Sequence, residues 1–117
     1  KDVKADLFIS IHLDSKEEDV QHSGINCYTS RVSGYCTKSD EFSKELLNEL
    51  KQIDGVKTAD APQQADFYVL KNSSCPAVLL TLGYLTNEND LSFINNQKNQ
   101  ELICEKIINA VERVRIN

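Results

Sequence analysis

Long hydrophobic runs are missing from these 117 residues. The longest apolar stretch, Pro76 to Leu82, is broken by Thr81 and falls far short of a membrane-spanning helix. An excess of positive charge is missing as well. Thirteen Lys and Arg against 18 Asp and Glu leave a net charge of -5 and a pI near 5.0, which argues against a nucleic-acid or anionic-membrane surface. No CxxC pair occurs: Cys27, Cys36, Cys75 and Cys104 match no zinc knuckle, and both histidines lie far from them. There is no internal repeat, no low-complexity segment, no signal peptide and no initiator Met. Opening at Lys1 and turning apolar by Leu7, the chain reads as a part of something longer.

What is present suits one domain over residues 1–117, with 40% hydrophobic and 26% charged residues. Apolar alternation predicts strands at about Leu7–His12 and Ile25–Thr29. The compact runs Phe67–Leu70 and Ala77–Leu82 read as two more strands, joined by a link too short for a crossover helix. Val56 to Thr58 reads as a short strand or turn. Helical spacing covers Asp40–Ile53, with Thr37 or Ser39 as a cap and Gly55 as a stop, and again Gln97–Val114. A short helix starts within Asn87–Asp90. Interleaved strands and helices make an α/β layer structure. If the chain is exported, Cys27 and Cys36 are close enough in sequence for a bridge, while Cys75 and Cys104 read as buried or half-buried free thiols.

Candidates for chemistry are few. His12 closes the first strand, and Thr81 interrupts an apolar strand near its carboxyl end, where α/β proteins place their ligands. A lone histidine is more often structural than catalytic, and threonine is in any case a good strand residue. His22 sits in a charged loop and reads as solvated. Asp66, Glu88 and Asp90 are carboxylates of the kind that mostly cap helices or face water.

The order ADLFISIH, a Gly-led strand holding Tyr28, a Ser-rich helix start, FYVL and PAVLL-x-LGYLTN resembles the zinc-dependent N-acetylmuramoyl-L-alanine amidases, the third amidase family. The resemblance runs from about Ala5 to the final helix. It implies a mixed, mostly parallel sheet flanked by helices, here without the family's N-terminal strands and helices. It also implies a place in the cell envelope, periplasmic or extracellular, and cleavage of the amide between N-acetylmuramic acid and L-alanine. By the same resemblance, His12 would correspond to the last of three zinc ligands. The other two, a histidine in a Gly-His-Gly-Gly turn and a following glutamate, are absent from residues 1–117.

Thr81 stands where the family places a glutamate. That carboxylate takes a proton from the attacking water and returns one to the leaving amine, a task a threonine hydroxyl cannot perform near neutral pH. One histidine likewise cannot hold a catalytic zinc that needs three protein ligands, so no bound zinc is expected here. The first expectation is therefore an inactive amidase-like module that binds peptidoglycan or muramyl peptides. A second is the C-terminal half of a working amidase; a third is an α/β interaction or sensor domain unrelated to the cell wall. Lacking its first strands, the sheet should expose an apolar edge, to be covered by a second copy or by the rest of a larger protein.

Overall fold

The computed structural model describes residues 5–19 and 21–116. In chain order it contains β1 (Phe8–Asp14), β2 (Asn26–Thr29), α1 (Cys36–Leu50), β3 (Gln63–Gln64), α2 (Tyr68–Lys71), β4 (Ala77–Tyr84), α3 (Glu88–Ile94) and α4 (Gln97–Ile116). The four strands form one mixed sheet in the order β1-β4-β2-β3. β1 runs parallel to β4, β2 antiparallel to β4, and β3 parallel to β2. This is the expected architecture, with two parallel pairings to one antiparallel.

β4 is central because its sequence is apolar on both faces, and Ala77 to Thr81 are all buried. Val78 and Leu80 join the main core with Phe42, Leu46, Leu47 and Leu50 of α1 and Ile103 and Ala110 of α4. Ala77 and Leu79 face the other way and meet Leu70 and Tyr28. Glu49, 3% exposed, crosses between the two long helices. Its carboxylate accepts from Arg113 Nε at 2.8 Å and Asn109 Nδ2 at 3.3 Å. A buried charge is tolerated there because both partners are aimed at it.

Two local expectations are corrected, and one strand was not foreseen. Phe67–Leu70 is not a strand: the Leu70 and Lys71 amides donate back to the Phe67 carbonyl, closing the single turn of α2. Only Leu70 points into the core, while Phe67, Tyr68 and Val69 are 41%, 76% and 44% exposed. A four-residue apolar run carries no period that separates strand from turn. Helix α1 begins at Cys36 rather than near Asp40, and neither Thr37 nor Ser39 caps it. Ser39 Oγ instead accepts the Ala77 amide at 2.9 Å, tying the helix to the start of β4. The pair Gln63–Gln64 is strand β3, exposed and polar, with no alternation to betray it. Thr58 forms one bridge with Ile25, matching the short strand or turn read at Val56–Thr58.

β1 is the outer strand, and its far side pairs with no strand among the described residues. Phe8, Ile11 and Leu13 are 39%, 52% and 42% exposed along it. The expected bare apolar edge is therefore present.

All four cysteines are free thiols, so the Cys27–Cys36 bridge is not formed. Cys27 is wholly buried in the main core, where burial pushes its thiol up to about 12. Cys104, read as at least half buried, is exposed on α4; Cys75 is buried and Cys36 partly so. A thiol-specific reagent added to the native chain should modify Cys104 first and Cys36 more slowly. Cys27 and Cys75 should react only on unfolding, with peptide mapping reporting the order. Rapid labelling of Cys27 without denaturant would contradict this core.

Candidate functional site

The site grows out of strand register. His12 of β1 is the direct partner of Thr81 of β4, and Thr81 is in turn the partner of Asn26 of β2. Alternation along each strand then places Ser10, His12, Leu79, Thr81, Asn26 and Tyr28 on one face, opposite the face covered by α1 and α4. Sequence reasoning singled out His12 and Thr81, and the fold sets them side by side. Both lie short of their strand ends, because β1 continues to Asp14 and β4 to Tyr84.

The two side chains are differently engaged. The His12 ring is exposed, and its Nε2 shares a 2.6 Å hydrogen bond with Ser10 Oγ. Thr81 is 4% exposed, and its hydroxyl donates to the Asn26 carbonyl at 3.3 Å. The threonine is thus a satisfied strand residue whose one donor is committed to the neighbouring backbone. Beyond the pair, the register slips between His12 and Asp14, and Gly83 adopts φ +137. This bulge turns the end of β4 toward Asp90, one place where irregular strands re-aim side chains.

Asp90 is not a surface acid. It is 5% exposed, and its Oδ2 accepts the backbone amides of Gly24 and Tyr84, each at 2.9 Å. Asn87 Oδ1 accepts the Asp90 amide and caps α3. Asp66 and Glu88 are exposed, on the loop before α2 and in the first turn of α3. His22 is exposed, as read; its Nδ1 pairs with Asp19 Oδ2 at 2.9 Å, and its ring meets Tyr84 edge-on at 5.4 Å.

Three further residues on this face escaped the sequence reading. Ser10 was legible in principle, since it stands two residues before His12 on the same strand. Asn26 and Gln63 were not, because only the antiparallel β2–β4 and parallel β2–β3 pairings bring them there; their amides meet at 3.4 Å. Tyr28 stacks edge-to-face with Phe67 at 5.6 Å. Burial, with the negative Asp14 nearby, pushes the Tyr28 phenol up, so it stays protonated at neutral pH.

The donor set does not fit a catalytic zinc. Among the described residues, no three His, Cys, Asp or Glu side chains converge. His12 is a single imidazole with one nitrogen bound to Ser10, and Thr81 offers only a hydroxyl already spent on a carbonyl.

Comparison with known proteins gives the family and the fold. Residues 1–113 match the family model described as N-acetylmuramoyl-L-alanine amidase. The chain is 29% identical over 113 residues to the probable cell wall amidase LytH of Staphylococcus epidermidis, covering 97% of this chain and 36% of that protein. It is 30% identical over 112 residues to the uncharacterized protein YqiI of Bacillus subtilis, covering 93% and 51%. Among solved structures, the CwlD amidase of Clostridioides difficile, in complex with the GerS lipoprotein, superposes with a TM-score of 0.84 at 27% identity, over 99% of this chain and 58% of that one. The amidase AmiC2 of Nostoc punctiforme shares the fold, with a TM-score of 0.84 at 24% identity over 97% and 59%. The chain thus spans about a third of the LytH length and a little over half of the solved amidase chains. With the family model matched over residues 1–113, this chain belongs to the N-acetylmuramoyl-L-alanine amidase family.

Proposed function

We propose that this chain is a single amidase-like unit of the cell envelope that engages peptidoglycan without hydrolysing it. The observation that carries this reading is Thr81, paired in register with His12, its hydroxyl bound to the Asn26 carbonyl. At that position hydrolysis needs a group that takes a proton from water and hands one to the leaving amine. A carboxylate does so; a buried threonine hydroxyl does not. Replacing a carboxylate there by threonine also removes a buried charge that would be costly with no metal beside it. The substitution therefore consolidates the fold once the chemistry is gone. Among the described residues no helix is long and apolar enough to cross a membrane.

A second reading has one observation in its favour. On it the chain, which covers 36% of LytH and 58% of CwlD, is the C-terminal half of a working amidase whose other part would supply the zinc ligands and cover the β1 edge. Restoring that remainder returns metal ligands and leaves Thr81 in place. A second copy of the chain is the alternative cover for the edge.

Zinc titration by calorimetry separates a dead site from a hidden one. The chain should bind zinc weakly if at all, with little change in His12→Ala, since water must fill each vacant ligand position. Submicromolar affinity abolished by His12→Ala would mean that further ligands complete the site, and the reading of an inactive module would fall.

A further inference from the structure

Helix α1 ends at Leu50, and the chain turns through Ile53, Asp54 and Gly55 before Lys57 comes alongside the start of β2. The turn is anchored on both sides. Ile53 is buried in the main core. The Lys57 carbonyl accepts the Ile25 amide at 2.8 Å, and the Ala59 amide donates to the Ile25 carbonyl at 2.9 Å. Between these anchors Asp54 and Gly55 are exposed. Among the described residues no hydrogen bond or ion pair engages the Asp54 carboxylate, and the Gly55 amide donates to no carbonyl. Both border an open cleft of about 470 Å³, shared with Lys57, Asn89, Asp90 and Phe93. Gly55 stands at φ +95, which glycine adopts without strain. No other Asp in the chain precedes a Gly, and no Asn does.

We propose that Asp54 is a self-modification site, where aspartate isomerises to isoaspartate and thereby loosens the entry to β2. The Gly55 nitrogen attacks Cγ of the protonated Asp54 carboxyl, forming a C–N bond and closing a succinimide ring. The carboxyl C–O bond breaks, and its hydroxyl leaves as water with the amide proton. Water then adds to one of the two imide carbonyls. Opening at the side-chain carbonyl restores aspartate; opening at the main-chain carbonyl leaves isoaspartate, whose backbone runs through Cβ and Cγ. Composition and oxidation state are unchanged, and solvent water is the only co-reactant. Because the attack is intramolecular, its rate follows how freely the two groups meet. A side chain after the aspartate would crowd the nitrogen, and Gly55 has none. Elsewhere such groups are held: Asn72 Nδ2 donates to the Tyr68 carbonyl at 3.1 Å, and Asp90 is fixed by two backbone amides. The product inserts one extra backbone carbon between the Ile53 and Lys57 anchors. The strain falls on the Lys57–Ile25 hydrogen bond, next to Asn26, whose carbonyl holds Thr81.

The test ages the whole chain in warm neutral buffer made with heavy-oxygen water, then maps its peptides by fragmentation mass spectrometry. Isoaspartate and heavy oxygen should accumulate at position 54 before any other Asp or Asn. Asp54→Glu should lose the signal, because its larger ring closes far more slowly. Asp54→Asn should reach the same isoaspartate faster, since an ionised carboxylate resists attack and a carboxamide does not. Position 54 is exposed, so both variants should melt as the unmodified chain does. In aged protein the Ile25 amide should exchange faster, with the Val78 and Leu80 amides of β4 unmoved. No heavy oxygen at position 54, or earlier isomerisation at Asp14 or Asn72, would overturn the site. Isoaspartate at position 54 with the Ile25 amide still fully protected would overturn its effect on β2.

Discussion

Given a muramyl-peptide substrate, the purified chain is expected to release no stem peptide, with or without added zinc. Two separate deficits lead to this result. A positioned acid–base group contributes about 10²–10⁴ of rate, and the position beside His12 holds Thr81 in its place. The larger deficit is the metal, which would activate the water and polarise the amide carbonyl; the described residues bring no three ligands together for it. The two losses compound. Thr81→Glu is accordingly expected to restore nothing by itself. It should instead destabilise the chain by about 1–3 kcal/mol, because the Asn26 carbonyl loses its donor and a carboxylate enters a site that is 4% exposed. Chromatographic detection of free stem peptide, alongside a denaturant titration of the variant, reads both outcomes. Zinc-dependent turnover by the unmodified chain would end the proposal of an inactive module.

Asp90→Ala is expected to be the most damaging single substitution outside the apolar core. The carboxylate receives the Gly24 and Tyr84 amides, so one side chain pins the entry to β2 and the end of β4 to the start of α3. Each hydrogen bond to a charged acceptor contributes about 1.5–3 kcal/mol, and its removal leaves a buried N–H without a partner. Allowing for non-additivity, the loss should reach about 3–5 kcal/mol, a large share of the stability of an ordinary domain. Asp90→Asn keeps one acceptor oxygen and should lose less. Gly83 belongs to the same device. A Cβ there would lie 3.2 Å from Asp90 Cβ, Cγ and Oδ2, and φ +137 is strained for any L side chain, so Gly83→Ala should also weaken the fold. Denaturant midpoints measure these costs, and hydrogen exchange should show the Gly24 and Tyr84 amides losing protection first. A change below about 0.5 kcal/mol for Asp90→Ala would refute the latch.

The contrast between Asp90 and Thr81 marks how far sequence reasoning reaches. Asp90 looks like any helix-capping acid, because its partners are backbone amides, one of them 66 residues away in sequence. A side chain's partners across that distance leave no local pattern to read. Thr81 was conspicuous because a lone hydroxyl broke an apolar run, and that same run predicts a central strand.

By itself the sequence determined the layer class, three of the four strands, both long helices and the family, since each rests on periodicity or on contiguous motifs. It also singled out His12 and Thr81, which the family resemblance implies lie near one another in one cleft. Tertiary structure alone decided that they are register partners, that Asn26, Gln63, Tyr28 and Phe67 share their face, and that Phe67–Leu70 folds as a turn. The physical reason is the same in each case. Alternation tells which side of a strand a residue faces, whereas strand order and pairing direction are set by which surfaces the whole chain can bury together.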